Sequence, residues 1–200
     1  MSIPTVQKKI VLLGQSSVGK SSLVYQFCKG EFFENQEPTI GASFLTKELD
    51  FSTHKVSLQI WDTAGQERYE SLAPMYYRKA AAALVVFDLN EAYTLNKAKD
   101  KIQELSTNGE PNMIITLVGN KCDLERRINS EEVKEYCEEN GIMYFETSAK
   151  TGKGVEEVFQ KISRKFKLPK KKDFKNEKRI EGEGILKLEK EKKKEKKKCC

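Results

Sequence analysis

The chain has 200 residues, 38% hydrophobic and 33% charged, with a formal net charge of +6, which is enough for one domain with a real core plus a tail. Residues 169–200 hold 14 Lys/Arg and 7 Asp/Glu, leaving 22 basic and 23 acidic residues in 1–168, so a nearly neutral body carries a basic appendage and gives no composition-level argument for nucleic acid. The longest apolar run, Ala80–Phe87, is too short to span a bilayer.

The N-terminal stretch lacks a signal-peptide pattern, and Ser2 in place of glycine argues against N-myristoylation. Five cysteines, Cys28, Cys122, Cys137, Cys199 and Cys200, include no C-x-x-C pair. That fits a reduced cytosolic setting and provides neither a disulfide framework nor zinc spacing.

In chain order, "KKIVLLG" reads as a short strand stopping at Gly14. "KSSLVYQFCKG" reads as a helix with Leu23, Val24 and Phe27 on one face, ending at Gly30. "ASFLTKELDF" and "KVSLQIWD", separated by "STH", read as a hairpin. "AAAALVVFDL", "NMIITLVGN" and "IMYFET" are buried strands, and helical patterns cover Glu91–Ser106, Ser130–Asn140 and Val155–Lys167, the second with Ser130 as N-cap. Strands alternating with helices predict an α/β domain with a largely parallel sheet. From Pro169 the periodicity fails and lysine and glutamate dominate, so the domain is expected over 1–168 and a flexible lysine-rich tail over 169–200.

"GQSSVGKS" at Gly14–Ser21 fits G-x-x-x-x-G-K-[ST] between a strand and a helix, the context that defines a phosphate-binding loop. Its glycines let successive N–H groups face phosphate oxygens, Lys20 supplies a positive charge, the Ser21 hydroxyl suits Mg²⁺, and the helix N-terminus adds its dipole. The base is left open by this loop. "WDTAGQE" follows the third strand: Asp62 is placed to hold Mg²⁺ through water, and Gly65 offers an unobstructed N–H for a γ-phosphate. "GNKCDL" and "ETSAK" also follow strands. The Asp123 carboxylate can accept from guanine N1–H and N2–H₂, a donor pair adenine lacks. Asn120 is placed to brace the phosphate loop, Lys121 to cover a base face, and the Ala149 N–H to meet guanine O6.

With these four motifs in order, the chain resembles the Rab branch of Ras-like small GTPases over about Lys8–Leu168, with the terminal Cys-Cys as a further match. "TIGASFLTK" and "YESLAPMYYR" are most similar to the early-endosome subgroup, Rab five and its relatives. The resemblance implies a P-loop NTPase fold, a six-stranded, mostly parallel sheet flanked by helices, with the second strand antiparallel. It implies a GTP/GDP switch with Mg²⁺ that hydrolyses GTP, slowly without an activating protein, and regulates vesicle trafficking, endocytosis and early-endosome fusion.

Residue by residue, the resemblance implies Gln66 and Lys20 as catalytic groups, Gln66 orienting water. It places nucleotide contacts at Gly14, Ser16, Ser17, Val18, Gly19, Lys20, Ser21, Ser22, Phe32, Phe33, Glu34, Thr39, Gly65, Asn120, Lys121, Asp123, Ser148, Ala149 and Lys150. Phe32 is the aromatic expected edge-on to guanine, and Ser21, Thr39 and Asp62 are the Mg²⁺ residues. Ile40, Gly41, Phe44, Trp61 and Tyr76 form the implied effector surface. Implied partners are an exchange factor, a GTPase-activating protein, a GDP-dissociation inhibitor, the Rab escort protein with its geranylgeranyl transferase, and effectors, around a monomer that binds no nucleic acid. Geranylgeranyl groups on Cys199 and Cys200, helped by the lysines, would anchor it on the cytoplasmic face of early endosomes, with a soluble cytosolic pool. One departure is Lys79, where glycine is usual.

Alternatives are a Rab of another trafficking step, an ATP-using phosphoryl-transfer enzyme, a membrane-recruited guanine-nucleotide module with little hydrolysis, and a nucleic-acid arm in the tail. His54, the sole histidine, reads as a solvated turn residue, Cys28 and Cys137 as packing residues, and Arg126–Arg127 as a solvated loop.

Overall fold

The computed structural model describes residues 4–166. The expected tail with Cys199 and Cys200, and the last residue of the expected helix Val155–Lys167, lie outside them; within them that helix ends at Lys165, with Phe166 extended. Elements in order are β1 (Thr5–Leu13), α1 (Lys20–Lys29), β2 (Ala42–Asp50), β3 (Lys55–Thr63), a 3₁₀ segment (Glu67–Leu72), α2 (Ala73–Tyr77), β4 (Ala82–Asp88), α3 (Ala92–Asn108), β5 (Ile114–Asn120), α4 (Ser130–Glu139), β6 (Met143–Glu146) and α5 (Val155–Lys165). The strands form one sheet in the order β2-β3-β1-β4-β5-β6. Only the β2–β3 hairpin is antiparallel.

Alternation along the strands divides the core between the two faces of the sheet. Ile10 and Leu12 of β1 and Leu84 and Val86 of β4 join Leu23, Phe27, Phe159 and Ile162 of α1 and α5. Their neighbours Val11, Leu13, Val85 and Phe87 join Leu95, Ile102, Val133 and Cys137 of α3 and α4. Every residue of β4 is buried, which explains its unbroken apolar reading in the sequence. On the first face, Phe27 and Phe159 stack with ring centroids 3.9 Å apart.

Helix starts differ in detail from the sequence expectation. Asn129 caps α4, its Oδ1 accepting from the Glu131 N–H at 3.0 Å. Ser130 is already helical, and its hydroxyl accepts from Arg126 instead. Helix α3 starts at Ala92, because Glu91 is extended and its carbonyl accepts from the Thr94 hydroxyl at 2.6 Å. Strand β5 begins at Ile114, since Met113 is held in a turn by Glu110 O. Lys79 has φ +59°, a left-handed conformation that accounts for the usual glycine there. Among the described residues no helix is long and apolar enough to cross a membrane.

Candidate functional site

All the motif residues lie at the C-terminal ends of β1, β3, β5 and β6, around a cleft of about 470 Å³. That is within the usual size range for a small-molecule site. Gly14 leaves β1 with φ +139°, and a Cβ there would lie 2.1 Å from Val86 O, so only glycine lets the loop turn against β4. The loop then passes through Ser17, also left-handed at φ +64°, and enters α1 at Lys20. The Lys20 ammonium donates to the carbonyls of Gly14 and Gln15, both at 2.8 Å. Burial pushes its pKa down to about 8, opposed by the charge of Asp62. A cation so desolvated, with only neutral carbonyls in hydrogen-bond contact, is poised for an anionic ligand.

Asp62 stands next to last in β3 and is 1% exposed. Its Oδ2 accepts from Ser21 Oγ at 2.5 Å, Thr39 Oγ1 at 3.3 Å and Ser43 Oγ at 3.4 Å. The Ser21 and Thr39 hydroxyls are 2.7 Å apart. Asp62 Oδ1 is buried and has no protein partner. Burial raises the carboxyl pKa, while the hydroxyls and Lys20 oppose the rise. Two hydroxyls and a carboxylate with an unused oxygen are hard donors of the kind Mg²⁺ takes, so the residues present fit that ion. Among the described residues no group of three His, Cys, Asp or Glu side chains forms a separate metal centre.

Gly65 lies so close to the phosphate loop that a Cβ would meet Gln15 O and Lys20 Nζ, both at 2.5 Å. Any side chain there would displace the lysine. Gln66 lines the same cleft, but its amide oxygen accepts from Arg68 Nε at 2.6 Å, a tie the sequence did not reveal.

The other end of the cleft is built around Asn120, which is 1% exposed. Its Nδ2 donates to Val18 O at 2.9 Å, while Oδ1 accepts from Thr147 Oγ1 at 3.1 Å and from Ala149 N at 3.2 Å. In this geometry the Ala149 N–H, expected to meet guanine O6, points to Asn120. Lys121 pairs with Asp88 at 2.6 Å, a partner signalled in the sequence only by a carboxylate ending an otherwise apolar strand. Asp123, Ala149, Lys150 and Phe32 line the cleft beside Lys121. Lys150 reaches Glu34 across its mouth at 3.1 Å. With its amide nitrogen turned toward them, Gln26 donates to Glu31 O at 3.2 Å and Ala149 O at 3.3 Å, tying the segment before Phe32 to the Ala149 loop.

Ser16, Ser17, Gly19, Ser21, Ser22, Phe33 and Thr39 also face the cleft. The side chains of Val18 and Ser148 do not. Val18 is buried in the core, and the Ser148 hydroxyl accepts from Thr151 N within its own loop at 3.0 Å. Ser22 instead bonds Gln36, at 3.1 Å, and Gln36 also lines the cleft. Arg126 is not merely solvated, because it pairs with Glu146.

Beyond the cleft, Phe44 meets Trp61 edge-on at 5.4 Å, and Trp61 lies 6.4 Å from Tyr76. Lys9 sits over the Trp61 ring at 4.8 Å. Trp61 and Tyr76 rest on the core, while Phe44 is 51%, Met75 62% and Ile40 80% exposed. Gly41 is left-handed and packs under the Tyr76 hydroxyl. His54 lies at the hairpin tip against Phe51, away from the cleft.

The Ras family profile matches residues 9–168. The chain is 51% identical over 160 residues to the Ras-related protein Rab5 of Nicotiana tabacum, covering 79% of this chain and 80% of that protein. It is 52% identical to Ras-related protein Rab5A of Oryza sativa subsp. japonica, covering 79% of each. Against Ras-related protein RABF2b of Arabidopsis thaliana, identity is 49% over 164 residues, 81% of this chain and 82% of that protein. Members of this family bind GTP or GDP with Mg²⁺. A phosphate loop, a hydroxyl–carboxylate cluster and two further loops meeting at the C-terminal ends of the strands agree with these matches: the chain belongs to the Ras family, as a Rab small GTPase of the Rab5 subgroup that hydrolyses GTP.

Proposed function

We propose that the cleft binds GTP and Mg²⁺ through the residues described above, and that this protein acts as a lipid-anchored switch on the cytoplasmic face of early endosomes. The observation that carries the site reading is the convergence of Ser21, Thr39 and Asp62. It draws the phosphate loop, the 31–41 segment and the end of β3 onto one buried carboxylate.

The phosphates lie against the backbone N–H groups of Gly14–Ser21, with Lys20 offsetting charge that develops during transfer. Ser21, Thr39 and Asp62 would hold Mg²⁺, which when bound withdraws electron density from phosphate oxygens. Asp123 accepts from the guanine donor pair, Lys121 and Phe32 flank the base, and Lys150 closes the mouth with Glu34. Gln66, once released by Arg68, orients a water in line with the γ-phosphate. As the water oxygen bonds to phosphorus, the bond to the β–γ bridging oxygen breaks, leaving GDP and phosphate. Thr39 and Gly65 then lose their contacts to the γ-phosphate, and the 31–41 and 65–77 segments are released.

Among the described residues no arginine lies on the cleft lining, which supports slow turnover alone. A partner's arginine would raise it ~10³–10⁵-fold, the range of Ras relatives themselves. Ile40, Phe44, Trp61 and Tyr76 present the effector surface in the GTP state. The exchange factor, GDP-dissociation inhibitor, escort protein and geranylgeranyl transferase are the remaining partners of this reading, with lipid at Cys199 and Cys200. Single-turnover phosphate release from GTP-loaded protein tests the mechanism. Slow release, slower still in Gln66→Leu and blocked by preloading with GDP but not with ADP, is expected. Release that is unchanged in Gln66→Leu would overturn the assignment.

A further inference from the structure

The two base-reading loops are joined twice. The inner tie is Asn120, together with the Cys122 N–H, which donates to Thr147 O at 3.0 Å. The outer tie lies on the far side of the same loops. Arg126, three residues beyond Asp123, directs its guanidinium fork at Glu146 Oε2 and Ser130 Oγ. Glu146 immediately precedes Thr147-Ser148-Ala149, and its second oxygen, Oε1, accepts from the Tyr144 hydroxyl at 2.9 Å. Tyr144 is fixed in turn by stacking on Phe87, with centroids 6.4 Å apart and planes 19° apart.

Arg126 and Glu146 are 32% and 29% exposed. An isolated pair at such exposure contributes little, but here both carboxylate oxygens are used and the arginine fork is held at two points. The Arg127 N–H bonds Leu89 O at 3.1 Å, so the chain carrying Arg126 is anchored to the end of β4.

We propose that Arg126 is a positioning residue for guanine recognition: through Glu146 and Tyr144 it clamps the Asp123 loop to the Ala149 loop and so slows release of the nucleotide. This rests on the reading that those loops take the guanine base. Loss of the clamp lets Asp123 drift from the N1–H and N2–H₂ donors while the phosphate loop, held by β1 and α1, is untouched. The defect is therefore specific to the base. Arg126 touches neither base nor phosphate and acts only through its partners.

The test measures dissociation of ribose-labelled GDP and IDP from the full chain. Inosine lacks the N2 amine, so Asp123 has one donor fewer to lose. Arg126→Ala should release GDP about fivefold faster than wild type, the scale of a partly exposed ion pair, and IDP less than twofold faster. Glu146→Gln should match it, the double variant should be no faster than either single one, and the exchanged pair Arg126→Glu with Glu146→Arg should return to within twofold of wild type. If Arg126→Ala unfolds, Arg126→Lys and Tyr144→Phe probe the fork and the hydroxyl separately, each with a smaller acceleration of GDP than Arg126→Ala. Unchanged GDP release, or equal acceleration of GDP and IDP, overturns the clamp and makes Arg126 a general stabilising residue. Wild-type protein that retains GDP no better than ADP overturns the guanine reading itself.

Discussion

Asn120 and Val18 are 102 positions apart, yet the amide of one donates to the carbonyl of the other at 2.9 Å. This bond braces the phosphate loop from Asn120, on the inner side of the two loops, and the Arg126 contacts on their outer side do not reach it.

Asn120→Ala therefore removes more than a base-pocket contact. It leaves Val18 O, Thr147 Oγ1 and Ala149 N without their partner in a buried place. At ~1–3 kcal/mol for each unpaired group, and with some relaxation, a loss of about 3 kcal/mol is expected in urea unfolding. Nucleotide release should accelerate separately, by roughly 100-fold for a comparable ~3 kcal/mol lost from the bound state.

Arg68 holds the amide oxygen of Gln66 at 2.6 Å, so the contact takes one lone pair of that oxygen and turns the amide toward the arginine. Arg68→Ala should raise intrinsic single-turnover hydrolysis by about two- to fivefold, the scale of an exposed charge-assisted contact. Nucleotide dissociation should not change. An unaltered or lower rate of phosphate release would mean that Arg68 supports the glutamine rather than restrains it.

Lys79 occupies the left-handed region, where a side chain is strained and glycine is not. Its N–H donates to Glu110 Oε1 at 2.8 Å, a bond the backbone keeps whatever the side chain. Lys79→Gly should stabilise the protein by ~0.5–1 kcal/mol in chemical denaturation, the strain relieved exceeding the entropy that glycine adds to the unfolded chain.

Cys137 is buried, and burial pushes its pKa up to about 11 from the usual 9.0. The fold thus favours the neutral thiol. Its contribution is whole below pH 9, where the unfolded thiol is also protonated, and is lost as pH rises from 9 toward 11. Between those values stability should fall by up to ~1.4 kcal/mol per pH unit from this group. Urea midpoints at pH 8, 9 and 10 should show that slope in wild type and a shallower one in Cys137→Ala. Thiol reagents at pH 8 should modify Cys122 and Cys28, both only partly buried, well before Cys137.

Deleting Cys199 and Cys200 should leave GTP binding intact and move the protein from membranes to the soluble fraction of cells. Retention on membranes after the deletion would show that another feature anchors it.

The parts of the fold legible in the sequence were those governed by short-range rules. Alternation in "ASFLTKELDF" and "KVSLQIWD" marked the hairpin, and Gly14 to Ser21 marked the phosphate loop, because these patterns answer to local geometry. Asn129 rather than Ser130 became the cap of α4 because two good capping residues stood side by side, and the Arg126 contact took the serine hydroxyl. The Asp88–Lys121 pair, the Arg126–Glu146 pair and the Arg68–Gln66 contact depend on which loops meet or how a side chain turns. No spacing rule encodes that. Lys79 was legible only as a departure from a family habit, and its backbone angle gives the reason.

The order β2-β3-β1-β4-β5-β6 also has a meaning for the nascent chain. Only β2 and β3 can pair with a neighbour in sequence by a tight turn. Every other ladder waits for a strand made later, and such long-range pairing is slow to form. The phosphate loop is translated among the first 21 residues, but its brace, Asn120, comes at the end of β5, and the Ala149 loop follows β6. On the ribosome the cleft therefore cannot close until nearly the whole domain has emerged. Nucleotide capture then becomes one of the last events of synthesis, and a stalled or truncated chain is left with a phosphate loop that lacks its Asn120 brace.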